Sequence, residues 1–70
     1  MRIKISDATL TDEMAAFLRG EGCEVRRVDR DVLEVEAHPT LADEQARMEL
    51  DLLLRFWRSL KPRVRLYTSD

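Results

Sequence analysis

The stretch TLADEQARMELDLLLRFWRSL, residues 40–60, carries apolar side chains around far more of a helical circumference than one core requires. At about 100° per residue, Ala42, Ala46, Leu50, Leu53, Leu54, Trp57 and Leu60 fill one arc, and Leu41, Met48, Leu52 and Phe56 line a second beside it. Thr40-Leu41-Ala42-Asp43 reads as a capping box with Asp in place of the more usual Glu. Asp43 and Glu44 suit the positive end of the helix dipole, and Arg55, Arg58 and Lys61 the negative end. A helix from Thr40 to Leu60 is therefore predicted, stopped by Pro62.

Upstream of this helix, Cys23 to Ala37 divides into two alternating runs around Asp29-Arg30-Asp31, a charged triplet suited to a short hairpin loop although it lacks glycine. Setting Val28 opposite Val32 places Val25 opposite Val35 and Cys23 opposite Ala37 on one face. The same register sets Arg26 opposite Glu34 and Glu24 opposite Glu36 on the other face. Arg27 opposite Leu33 is the poor match, relieved if its stem lies along the rim of the core with the guanidinium in water. His38-Pro39 ends the hairpin as a turn.

At the start of the chain, Arg2-Ile3-Lys4-Ile5 alternates with the period of a half-buried strand, predicted over residues 1–6. Thr9-Leu10-Thr11-Asp12 resembles a capping box, again with Asp, and Leu10, Met14, Phe17 and Leu18 follow at helical spacing. Gly20 and Gly22 bracket that helix's end, where a left-handed cap favours glycine. After Pro62, Arg63-Val64-Arg65-Leu66-Tyr67 alternates as a last strand before a polar tail.

The order strand, helix, strand, strand, helix, strand resembles the ferredoxin-like split βαβ pattern (βαββαβ) over the whole chain. That resemblance implies one α+β domain, residues 1–70, with a four-stranded antiparallel sheet and both helices on one face. It also implies that the first strand lies between the third and fourth. Many unrelated functions share this pattern, so function has to be argued from individual residues.

Composition narrows the classes. Seventy residues form a domain whose single core is marginal without a staple, and Cys23, being the one cysteine, forms no internal disulfide. With His38 as its one soft companion it supplies no zinc site. Self-association gains weight by elimination. A net charge of −2 offers no bulk attraction to phosphate backbones, so a nucleic-acid partner is not expected. The excess of arginine over lysine fits a small bacterial protein from a GC-rich genome. With a strand predicted from Met1 and no apolar run of spanning length, neither a leader nor a membrane partner is expected, and the expected location is cytoplasmic.

No residue set supports catalysis or a cofactor. The resemblance places Arg2 and Lys4 on the open sheet face beside Glu34 and Glu36 on one side and Arg63, Arg65 and Tyr67 on the other. RNA-recognition modules of this shape stack bases on aromatic residues of the central strands; here Tyr67 alone is aromatic and the glutamates repel phosphate. Glu34 and Glu36 share a water-facing, arginine-rich surface that does not separate two carboxyl pKa values for acid–base work. Metal-transfer domains of this architecture carry two cysteines after the first strand, where this chain has Ser6-Asp7-Ala8-Thr9. Acylphosphatase-like enzymes need a glycine-rich, arginine-bearing cradle there, which is missing too, while Asp7, Asp12 and Glu13 repel an anion. Cys23 reads as a small buried hydrophobe. ACT-type regulatory domains bind metabolites near the same turn, and Asp7-Ala8-Thr9-Leu10 is the corresponding segment, without their glycine; ligand sensing is the alternative expectation.

The first helix offers one ordinary stripe, so the second arc of the long helix has no obvious cover. Leu41, Met48, Leu52 and Phe56 are the expected interface residues, with Phe56 at the boundary between interface and core. Each is worth about 1.5–3 kcal/mol on burial. The expectation is a homodimer, or a docking site for one protein partner, with two copies of the helix antiparallel about a two-fold axis. Edge pairing is expected to be discouraged by Arg26 and Arg27 on the second strand and by Pro62, Arg63 and Arg65 on the fourth.

Overall fold

Alternation puts Ile3 and Ile5 on one face of the first strand, β1 (Arg2–Ile5), and that face decides where the rest of the chain packs. The computed structural model describes residues 1–37 and 42–69. His38, Pro39, Thr40, Leu41 and Asp70 lie outside them, and with these the expected turn at His38-Pro39, the capping role of Thr40 and the interface role of Leu41. Helix α1 (Thr11–Gly20) follows β1, then strands β2 (Glu24–Asp29) and β3 (Val32–Glu36), helix α2 (Asp43–Leu60) and strand β4 (Leu66–Ser69). The fold is α+β, with one four-stranded antiparallel sheet in the order β2-β3-β1-β4, so β1 lies between β3 and β4 as expected.

Ile3, Ile5, Leu33 and Val35 from the sheet join Met14 and Leu18 from α1 and Leu50, Leu54 and Trp57 from α2 in one buried cluster. Both helices therefore cover the same sheet face. Glu13 on α1 meets Lys61 just past α2 at 3.2 Å, and Phe17 meets Phe56. Numbers rise along α1 as they fall along α2, so the helices run antiparallel. The Thr11 hydroxyl is buried at the start of α1 with no hydrogen-bond partner among the described residues.

The hairpin register matches the sequence reading for Glu24↔Glu36, Val25↔Val35, Arg26↔Glu34 and Arg27↔Leu33. It departs at the loop, where Val32 pairs with Asp29 rather than Val28, leaving Val28 in a bulge. The cause is the two-residue connection Arg30-Asp31. No described non-glycine residue has a positive φ, so the primed turns that match strand twist are not available, and a bulge absorbs the mismatch. Arg27 holds this corner: its guanidinium donates to Asp12 Oδ1 at 2.7 Å, to Arg30 O at 3.0 Å and to Asp29 O at 3.3 Å. The rim position expected for Arg27 is thus an ion pair to α1.

Three other boundaries differ from expectation. The capping box at Thr9 does not form; Asp7 caps a short 3₁₀ turn (Ala8–Leu10), accepting from Thr9 N at 3.0 Å and Thr9 Oγ1 at 2.6 Å, and α1 starts behind it without a side-chain cap. Helix α2 starts at Asp43 rather than Thr40, because Ala42 is extended (φ −65°, ψ 155°), and the two acids then occupy the first turn, where the dipole favours them. Strand four is Leu66–Ser69, not residues 63–67. A turn closed by Val64 N donating to Lys61 O at 3.0 Å uses up Pro62 and Arg63, and the expected polar tail becomes strand, with Thr68 opposite Ile3 and Ser69 opposite Arg2.

The end of α1 follows its glycines. Cys23 N donates to Leu18 O at 3.0 Å and Gly22 N to Arg19 O at 3.1 Å, with Gly22 at φ 90°. This is a Schellman cap, closed by Leu18 and Cys23 in the core. A Cβ at Gly22 meets the left-handed penalty, so Gly22→Ala is expected to lower unfolding free energy by about 1–2 kcal/mol in a urea titration. No helix among the described residues is long and apolar enough to cross a membrane.

Candidate interaction surface

Residues four apart on a helix advance by about 40°, so Met48, Leu52, Phe56 and Leu60 form one slanting stripe along α2. They are 65%, 59%, 56% and 58% exposed, whereas Leu50, Leu54 and Trp57 on the other side of the helix are buried. The division of the long helix into a core face and an outward apolar face is therefore visible in the fold. Ala46 and Leu53 are half-buried on the core side. Two members of the first arc move: Ala42 is exposed because it precedes the helix, and Leu60 is exposed because it continues the stripe.

Phe56 is the link to α1. Its ring stacks on Phe17 with centroids 5.9 Å apart and planes 23° from parallel, an offset arrangement that orients the pair. Phe17 is half-buried and packs on the core, so it supports Phe56 from below and extends the apolar surface across the helix pair. Ser59 beside it turns its hydroxyl back to Phe56 O at 2.6 Å, which satisfies that group without a partner from outside. The sequence reading missed Leu60 and Phe17 as members of this surface. The signal for Leu60 was its place four residues after Phe56.

The outer sheet face has a different character. Arg2 Nε donates to Glu34 Oε2 at 3.0 Å, and this hydrogen bond holds the Glu34 carboxyl below the usual carboxylate range. Lys4 lies between Val32 and Tyr67 rather than beside Glu36, while Arg63 and Arg65 fall outside β4. An open hollow of about 410 Å³ is lined by Glu24, Val25, Arg26, Glu34 and Glu36. The like-charged Glu24 and Glu36 stand directly opposite each other there, an arrangement that opposes anions. At the turn after β1, the Asp7 carboxylate is engaged by the Thr9 hydroxyl and amide, which lower its pKa.

Cys23 is buried, and burial first, then the charges of Glu49 and Glu21, push its thiol up from the ordinary value. The thiolate is the reactive form, so alkylation by iodoacetamide at pH 8 is expected to be slower than in the urea-unfolded chain by about tenfold or more. Because the folded pKa is raised, the contribution to stability is complete below the unfolded value of about 8.5 and is lost as pH rises through the folded value. Among the described residues no group of three or more His, Cys, Asp or Glu side chains is placed to hold a metal ion.

Comparison with protein-family models, with characterised proteins and with solved structures finds no match to this chain.

Proposed function

We propose that this chain is a non-catalytic association module on a ferredoxin-like scaffold, self-pairing through the outward stripe of α2. The scaffold reading is supported by the element order and by β1 lying between β3 and β4. The association reading rests on one observation: four large apolar side chains, Met48, Leu52, Phe56 and Leu60, stand more than half exposed in a row on a helix whose opposite side supplies the core. Single exposed apolar residues are ordinary, whereas contiguous apolar patches of several hundred Å² mark interaction sites.

The magnitude sets the expected strength. About half of each side chain remains to be buried, worth roughly 1–2 kcal/mol apiece. Two copies of the stripe contribute roughly 8–16 kcal/mol, against an association cost of about 4–15 kcal/mol. Micromolar affinity, about 8 kcal/mol, falls within that difference, and the pairing expected has two α2 helices antiparallel about a two-fold axis. Sedimentation equilibrium from about 1 to 100 µM tests it: a rise from monomer to dimer mass supports self-pairing, and a constant monomer mass removes it, leaving one protein partner as the occupant. The ligand-sensing alternative uses the turn at Asp7 to Leu10. A thermal-shift screen of amino acids and nucleotides addresses it, since ligand bound only by the folded state raises the melting temperature.

A further inference from the structure

The two edges of the sheet are defended unequally. On β2 the edge carries Glu24, Arg26, Arg27 and Asp29 and a bulge at Val28, and Arg19 Nη2 covers the Val25 carbonyl at 3.1 Å. These are the devices that prevent a further strand from adding. β4 is the other edge, and its residues Leu66, Tyr67, Thr68 and Ser69 include no charge, proline or bulge. The charges expected to protect it, Arg63 and Arg65, precede the strand.

Which groups of β4 are open follows from the ladder. Ser6 N donates to Arg65 O at 2.9 Å, making Ser6 and Arg65 a hydrogen-bonded pair. In an antiparallel ladder such pairs alternate, so Lys4 with Tyr67 and Arg2 with Ser69 are the next two. The complementary use of Met1, Ile3 and Ile5 toward β3 agrees, since Ile5 N donates to Asp31 O and Met1 exchanges both bonds with Val35. The N–H and C=O groups of Leu66 and Thr68 therefore point away from the sheet, toward the open edge.

Charge surrounds this edge on both faces. On the helix side, a hollow of about 160 Å³ is lined by Asp51, Leu54, Arg55, Arg58, Leu66 and Thr68. A second of about 240 Å³ shares Arg55 and Arg58 and runs on to Pro62 and Val64. The two adjoin at Arg55 and Arg58 as a trough, in which Asp51 is the one acid among the described residues. On the opposite face, Arg65 shares the side of the sheet that carries Tyr67.

We propose that the β4 edge and the Arg55–Arg58 trough take an extended acidic segment of a partner protein as a fifth strand. Backbone groups of Leu66 and Thr68 pair with the incoming chain, and its alternate side chains fall over the trough, where Arg55 and Arg58 donate to its carboxylates. A second copy of β4 is disfavoured in this place, because it brings its own Arg55, Arg58 and Arg65 against these. The β4 backbone lies on the sheet, away from the α2 stripe, whereas Arg55 borders that stripe, about 60° round the helix from Leu52.

The test uses a fluorescein-labelled eight-residue peptide of alternating glutamate and valine, with a lysine-for-glutamate peptide and an eight-nucleotide oligothymidylate as comparisons, by anisotropy at about 50 mM salt, where surface charge is weakly screened. The acidic peptide is expected to bind, the lysine peptide not. Arg55→Glu with Arg58→Glu is expected to weaken binding by about tenfold or more. Amide hydrogen exchange at Leu66 and Thr68 is expected to slow on saturation. No binding by the parent, indifference to the double substitution, unchanged exchange at both amides, or equal binding of oligothymidylate each overturns the proposal. The last of these shows a phosphate-binding surface instead.

Discussion

Leu52→Glu is expected to stay folded and to sediment as a monomer at concentrations where the parent is proposed to form dimers. Leu52 is exposed and lies outside the core cluster. Glutamate is nearly as good a helix former as leucine, so the isolated fold has little to lose. In a two-fold pairing of α2 the substitution acts twice: each copy loses an apolar contact and places a carboxylate in a surface that excludes water. Burying an unpaired charge costs several kcal/mol, so the dissociation constant is expected to rise by about a hundredfold or more. Far-ultraviolet circular dichroism and the melting temperature of the dilute protein are expected to match those of the parent. A variant that dimerises as the parent does shows that the contact lies elsewhere; one that unfolds shows that the stripe belongs to the core.

Trp57→Ala is expected to have the opposite outcome, an unfolded chain at room temperature. Trp57 is next to Phe56 in sequence but only 2% exposed, packed among the residues that join α2 to the sheet. Truncating a buried tryptophan costs about 3–5 kcal/mol, and a single core in a chain of this size supplies about that much in total. Circular dichroism in a urea titration reads the result, because the variant has no tryptophan left to report. Phe56→Ala provides the contrast. It removes an exposed ring and its stacking on Phe17, worth about 0.5–1.5 kcal/mol beyond area, so a cooperative transition is expected to survive. Retention of a near-parental transition in the tryptophan variant means the core is not where the burial of Trp57 places it.

The contrast between residues 56 and 57 was legible in the sequence because a helix turns by about 100° per residue. Neighbours on such a helix face different surroundings, and a pattern of spacing reveals which residues share a side. Hairpin pairing was legible for a related reason. Period-two alternation ties Val25 to Val35 and Arg26 to Glu34, and slipping by one residue reverses every side chain. The bulge at Val28 was not legible, because it depends on what the loop backbone can adopt and on Arg27 reaching carbonyls and a helix at once. The exposed stripe was similarly divided. The outward position of Met48, Leu52 and Phe56 followed from spacing, while the stacking of Phe17 on Phe56 depends on where α1 lies.

Local periodicity thus determined the number and order of the strands and α-helices, the inner face of each strand and the two sides of α2, since all of these depend on residues close in the chain. Tertiary structure alone decided where β4 begins. Arg63-Val64-Arg65-Leu66-Tyr67-Thr68-Ser69 keeps one parity throughout, and only the turn after α2, together with pairing to β1, selects Leu66–Ser69. That choice moves Arg63 and Arg65 off the strand, so that the residues of β4 itself carry no charge. Hydrogen bonding across some sixty residues of chain is not encoded in any window of neighbours, which is why the sequence read this edge as protected by charge and the fold sets those charges outside its strand.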